Sequence, residues 1–212
     1  MKKKENRIKG IKMAVTGLLV IAAVNALTGG LHVYKTIVLA EAAAIAVMLV
    51  AWVIVFMGVK TAGRLKKEFH DAYIIAGVSL AAVLAQGGLA AKYVLIDKMG
   101  TQAFIDFFVL LMYYISILGM IFTYRLLLKG TNEMVLDSSG RKKYISWEKP
   151  WRRGAVSIMA CLLLLPLAAL LPEIAKIIAS AAIIIFAFFI QLYMCGFIRQ
   201  GYDFLEEKGI RT

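Results

Sequence analysis

The sequence predicts an all-α polytopic membrane protein, a six-transmembrane-helix bundle with both termini cytoplasmic. Three observations carry this. Of 212 residues, 61% are hydrophobic and 18% charged, against about 45–50% and about 25% in soluble domains. The apolar residues fall in six runs without Asp, Glu, Lys or Arg, at 13–34, 42–59, 72–91, 107–124, 154–172 and 177–198. The basic residues lie almost entirely between these runs, heavy in every second connection and sparse in the others. A disordered chain, a disulfide-stapled secreted domain and an ordinary soluble globule are all excluded.

A hydrocarbon core of about 30 Å takes roughly 20 apolar residues to cross as a helix. None of the six runs alternates with period two. Backbone groups in lipid must be satisfied within the segment, so runs this long are helices. Extending the second and fourth runs through Glu41 and Asp106 gives six spans in a single domain covering 1–212. The first, 13–34, follows a lysine-rich start that also resembles a signal peptide. Val24-Asn25-Ala26 is only a loose version of the small-residue cleavage pattern, and the run is long for a signal sequence; the helix is expected to stay. The second, 38–59, and the third, 72–92, are separated by the basic connection 60–71. The fourth is 103–125. The connection 126–153 is the longest: Asp137-Ser138-Ser139-Gly140 reads as a turn between Met134-Val135-Leu136 and Tyr144-Ile145-Ser146-Trp147, a small hairpin. Trp147 and Trp151 beside Lys149, Arg152 and Arg153 read more simply as an interfacial anchor, the preferred of the two readings. The fifth span, 154–172, turns at Leu171-Pro172-Glu173 into the sixth, 174–198, with the proline at a tolerated helix start.

With the amino terminus cytoplasmic, 21 of the 25 basic residues fall inside and four (Lys35, Lys92, Lys98 and Lys176) outside. The bias repeats in every connection, the signature of cytoplasmic loops. It accounts for the net charge of +12 through topology and anionic lipid headgroups, and leaves no role for nucleic acid. Two internal echoes, Thr28-Gly29-Gly30-Leu31 with Gln86-Gly87-Gly88-Leu89, and Gly58/Gly63/Glu68 with Gly196/Gly201/Glu206, suggest parallel helical hairpins. Gly is common in membrane helices for packing reasons, and the echoes carry little weight.

Polar residues concentrate in the outer halves of the spans. Ionisable groups within a span are costly and by default ask for a function. Glu41 and Asp106 lie about one turn inside the outer ends of spans two and four. Gln102, Asp106 and Tyr113 share a helical face. Asn25 lies near the outer end of span one, and Gln86 and Lys92 near that of span three. These seven residues are expected to line a polar cavity open to the outside, with Glu41 and Asp106 facing an ion, a proton or a cationic substrate. Glu173, Lys176 and Ser180 share a face at the start of span six, where the depth suits snorkelling side chains.

Other chemistry is sparse. His32 and His70 fall on opposite sides and cannot share a metal. Cys161 and Cys195 lie toward the cytoplasmic ends of their spans, in a reducing compartment, and read as small packing residues. The phosphate loop, the His-Glu-x-x-His zinc pattern, the Gly-x-Ser-x-Gly elbow and the dinucleotide fingerprint are absent from the sequence. No catalytic residue, metal or cofactor is expected. The outline of six helices with both ends inside resembles the substrate-binding subunits of energy-coupling factor importers and the small permease subunits of some exporters. No residue motif carries either resemblance, and the short connection after span one departs from the lid of the importer subunits. The expectation is a non-enzymatic multi-pass protein of a bacterial plasma membrane, a small transporter or the membrane subunit of one. The competing expectation is an accessory protein, such as a sensor partner, an immunity protein or an assembly factor. Its basic face would meet anionic headgroups, a protein partner or an ATPase subunit.

Overall fold

The computed structural model describes the backbone of residues 2–33, 38–95, 102–139, 148–168 and 170–207. Side chains are described within 8–27, 43–89, 107–108, 111–137, 148–168 and 170–207. Six helices follow one another: α1 (Lys2–Val33), α2 (Val38–Ala62), α3 (Lys67–Leu95), α4 (Gln102–Ser139), α5 (Glu148–Ala168) and α6 (Glu173–Glu207). All six are long and apolar enough to cross a membrane. Their outer surface is apolar as well. Val50 and Val53 on α2, Ile74 and Val78 on α3, Leu163 and Leu167 on α5, and Phe186 and Phe189 on α6 are all exposed. Soluble monomers rarely show an apolar surface this continuous.

The helices run antiparallel in sequence order. α1, α2, α3, α4 and α6 pack as neighbours around a closed ring, and α5 rests on the outside against α6 and, more lightly, α4. The ring begins with a small-residue seam. A Cβ added at Gly58 would lie 2.6 Å from the Ala14 nitrogen and 2.6 Å from the Gly10 carbonyl oxygen. Only glycine lets these two backbones meet, the packing that membrane helices use in place of a hydrophobic drive. α2 also reaches α4 across the interior, where the Trp52 indole N–H donates to Ser116 Oγ at 3.1 Å.

The solid core lies at one end. Ile11 and Leu18 of α1, Val59 of α2, Phe69 of α3, Tyr124 and Leu127 of α4, and Ile198 and Leu205 of α6 are completely buried in it. The same end gathers the charged helix termini. Lys12 of α1 sits 5.8 Å from the Tyr202 ring of α6. Arg125 of α4 lies 4.9 Å over the Trp151 ring of α5. Lys129 of α4 pairs with Glu68 of α3 at 2.9 Å, and Lys66 pairs with Asp137 at 2.6 Å. The Asp137 carboxylate, by its hydrogen bond, holds the Lys66 ammonium above its ordinary range. This basic end is therefore a continuation of the bundle rather than a fringe of loops.

That continuation corrects the expected connection 126–153. Residues 126–139 belong to α4 and 148–153 to α5, so Met134-Val135-Leu136 is helical and forms no hairpin strand. The helical segment includes Asp137, Ser138 and Ser139, which were read as a turn; Gly140 and Tyr144 to Trp147 lie outside the described residues. The reason is a seam that does not stop where the apolar run ends. Met120, Tyr124, Leu127, Thr131 and Met134 recur at steps of four and three and are all buried, the spacing of a helix packed along a neighbour. At 38 residues, α4 is about 57 Å long, nearly twice a hydrocarbon core. The glycine echo has no common packing role. Gly58 meets backbone, whereas a Cβ at Gly196 would meet nothing within 4 Å.

Candidate functional site

Away from the basic end the helices separate around a cavity of about 520 Å³. Each helix of its wall contributes at helical spacing. α1 supplies Ala22, Asn25 and Ala26. α3 supplies Gln86, and α4 supplies Tyr113, Tyr114, Ile117 and Met120. α5 supplies Ile158, Cys161, Leu162, Leu165 and Pro166, and α6 supplies Lys176, Ser180, Ile184, Ala187, Phe188 and Gln191. From Lys176 to Gln191 the cavity follows α6 for about 22 Å by helical rise. At its inner end the packed core begins, with Met194 and Tyr124 fully buried and the Cys195 thiol donating to the Tyr124 hydroxyl at 3.4 Å.

Three of the seven residues expected to line a polar cavity are on this wall: Asn25, Gln86 and Tyr113. Glu41 lies in α2, Lys92 in α3, and Gln102 and Asp106 in the first turns of α4; their side chains lie outside the described ones. Among the described residues, α2 contributes nothing to the wall, and Lys176 is the charged residue that lines it. Its backbone N–H closes the first turn of α6 on the Pro172 carbonyl at 2.8 Å, so Pro172 caps the helix and leaves Lys176 in the turn where the helix dipole is positive.

Sequence reasoning passed over Gln191 and Pro166, read Cys161 as a small packing residue and read Lys176 as an interfacial side chain. Gln191 is 5% exposed, and its Oε1 has no hydrogen-bond partner among the described residues. It was findable: positions 176, 180, 184, 187 and 191 step by four or three along one face, and Gln191 is the amide on that face. Pro166 sits inside α5, where its missing N–H leaves the Leu162 carbonyl without its helical donor. Both cysteines are buried and unpaired with each other, yet Cys161 lies on the cavity wall and Cys195 beneath its floor. No group of three or more His, Cys, Asp or Glu placed to hold a metal occurs among the described residues.

These features define an all-helical bundle whose six helices are long and apolar enough to cross a membrane, with a mostly apolar cavity between them. Compared with protein-family models, with curated proteins and with solved structures, the chain matches none.

Proposed function

We propose that the protein is a non-enzymatic transporter, or the membrane subunit of one, which takes a small ligand into this cavity from the outer side of a bacterial plasma membrane. The cavity carries the reading. A volume of about 520 Å³, walls that are mainly apolar and a few convergent polar groups are the attributes of small-molecule sites. The gradient along the bundle supports it, since the cavity gives way to a dry, fully packed core toward the basic end. The charge bias puts that end in the cytoplasm, so the packed half is the closed inner gate and the cavity faces outward.

The solute inventory of cells is the test. Cells expressing the protein are compared with cells expressing Ala187→Trp, which fills the cavity from α6. The account expects at least one small solute to change its distribution across the membrane with the native chain and to return to the level of the empty vector with Ala187→Trp. Identical inventories at equal expression would refute transport. One observation favours the second reading, an accessory protein or docking subunit. α4 and α6 run on beyond their apolar runs as packed helices, α4 braced against the start of α3 by Lys129–Glu68 and Lys66–Asp137. They offer anionic headgroups, an ATPase subunit or another protein a firm basic platform.

A further inference from the structure

We propose that the ligand of the cavity is an elongated, single-chain amphiphile with an anionic end held at Lys176 and a hydrogen-bond donor at its other end meeting Gln191. This deepens the transport reading and rests on the cavity being the ligand site.

Three features converge on this class. Charge is the first. Among the described lining residues no carboxylate faces the cavity, while Lys176 does. It stands in the first turn of α6, where unpaired backbone N–H groups and the helix dipole add to the attraction for an anion. A carboxylate or phosphate at the mouth is favoured by both, against the Glu173 carboxylate of the same turn, which is not on the cavity wall.

The second feature is the body of the cavity. Most of the wall between Lys176 and Gln191 is apolar, as at Leu162, Ile184 and Phe188, and Asn25, Gln86 and Ser180 are among its polar groups. The apolar side chains reward an alkyl chain in proportion to the area they cover. The lining follows α6 for about 22 Å, a length that an extended alkyl chain can span.

The third is the inner end. The Gln191 carbonyl oxygen is buried without a donor among the described residues, an unfavourable state for a polar atom. A ligand hydroxyl or amide N–H arriving there relieves that state, and a bare methyl end does not. Rotation of the amide lets the same side chain present either of its polar atoms to the cavity.

Native mass spectrometry of the full purified chain, released from a neutral detergent, reads the outcome with four probes: dodecanoate, ω-hydroxydodecanoate, dodecanol and dodecylamine. The account expects ω-hydroxydodecanoate to bind tightest, dodecanoate next, and dodecylamine at least tenfold more weakly than dodecanoate, as the loss of a charge-assisted contact implies roughly. Lys176→Gln should weaken both carboxylates about tenfold and leave dodecanol unchanged. Gln191→Leu should erase the preference for the ω-hydroxyl while retaining dodecanoate. Dodecylamine binding as tightly as dodecanoate, or carboxylate binding indifferent to Lys176→Gln, would overturn the ligand class. Two cavity-filling variants, Ala187→Trp and Ala26→Phe, separate this from failure of the site itself. Binding that survives in both, with normal folding by gel filtration, would overturn the cavity as a ligand site. Binding lost in either, yet blind to the charge of the probe, would overturn only the anionic assignment.

Discussion

Replacing Gly58 with Ala should destabilise the protein, and replacing Gly196 with Ala should not, although the sequence presents the two glycines as counterparts. At Gly58 the new methyl would stand 2.6 Å from two backbone atoms of α1. Ordinary contact between non-bonded heavy atoms is about 3.5–4.0 Å, so α1 and α2 must part by on the order of 1 Å along their seam. Backbone cannot swing aside as a side-chain end does. Overpacking of this kind costs typically about 1–3 kcal/mol. Gly196 has open space around its Cα, and the gain in helix propensity makes Ala there neutral or more stable by up to about 1 kcal/mol. Titration of the purified protein from neutral detergent into dodecyl sulfate, followed by circular dichroism, measures both. Equal midpoints for Gly58→Ala and Gly196→Ala would refute the close approach of α1 and α2.

Asp137→Asn should lower stability by less than about 1 kcal/mol, and less still in high salt, because the Lys66–Asp137 pair is partly solvated. The raised Lys66 value gives the sign with pH: the contribution is complete below pH 10.5 and fades as the pH rises through the higher folded value, which an alkaline melting series would show. Cys195→Val should cost about 1 kcal/mol by leaving the Tyr124 hydroxyl without the thiol. Cys195→Ser restores a donor, and the double change Cys161→Ser with Cys195→Ser should keep whatever activity the solute inventory reveals. In that double variant, an impermeant thiol reagent applied to intact cells should mark Asp97→Cys and spare Gly140→Cys, and the opposite pattern would invert the proposed topology.

The six helices were legible because length, apolarity and the absence of charge coincide in each run, and lipid leaves the backbone no alternative. The reach of α4 was not read from the sequence. Beyond Arg125 the seam of Leu127, Thr131 and Met134 passes through Lys129, Asn132 and Glu133, and polar composition hid a period that was nonetheless unbroken. The turn-like Asp137-Ser138-Ser139-Gly140 then invited a hairpin, whereas packing against α6 and the pairing of Asp137 with Lys66 hold the helix to Ser139. Asn25, Gln86 and Tyr113 were singled out as polar groups in apolar helices, and the bundle places them on one wall. Gln191 shares that property but lies nearer the basic end, away from the helix halves in which the other polar residues concentrate. Which residues of α5 reach the cavity depends on how it leans on α6, and no periodicity encodes that.

Reactivity along α6 tests the central claim most directly. In the cysteine-free background made with Cys161→Ser and Cys195→Ser, single cysteines replace Ser180, Ile184 and Ala187 on the cavity face, Ile185 and Phe189 on the exposed apolar face, and Ile198 in the packed core. A charged methanethiosulfonate reacts with thiolate, which forms in water and not in lipid or a dry core. An outward-facing cavity predicts that positions 180, 184 and 187 react from outside intact cells, and that 185, 189 and 198 do not. Equal reactivity on both faces, or none at 180, 184 and 187 with the protein correctly folded, would contradict it.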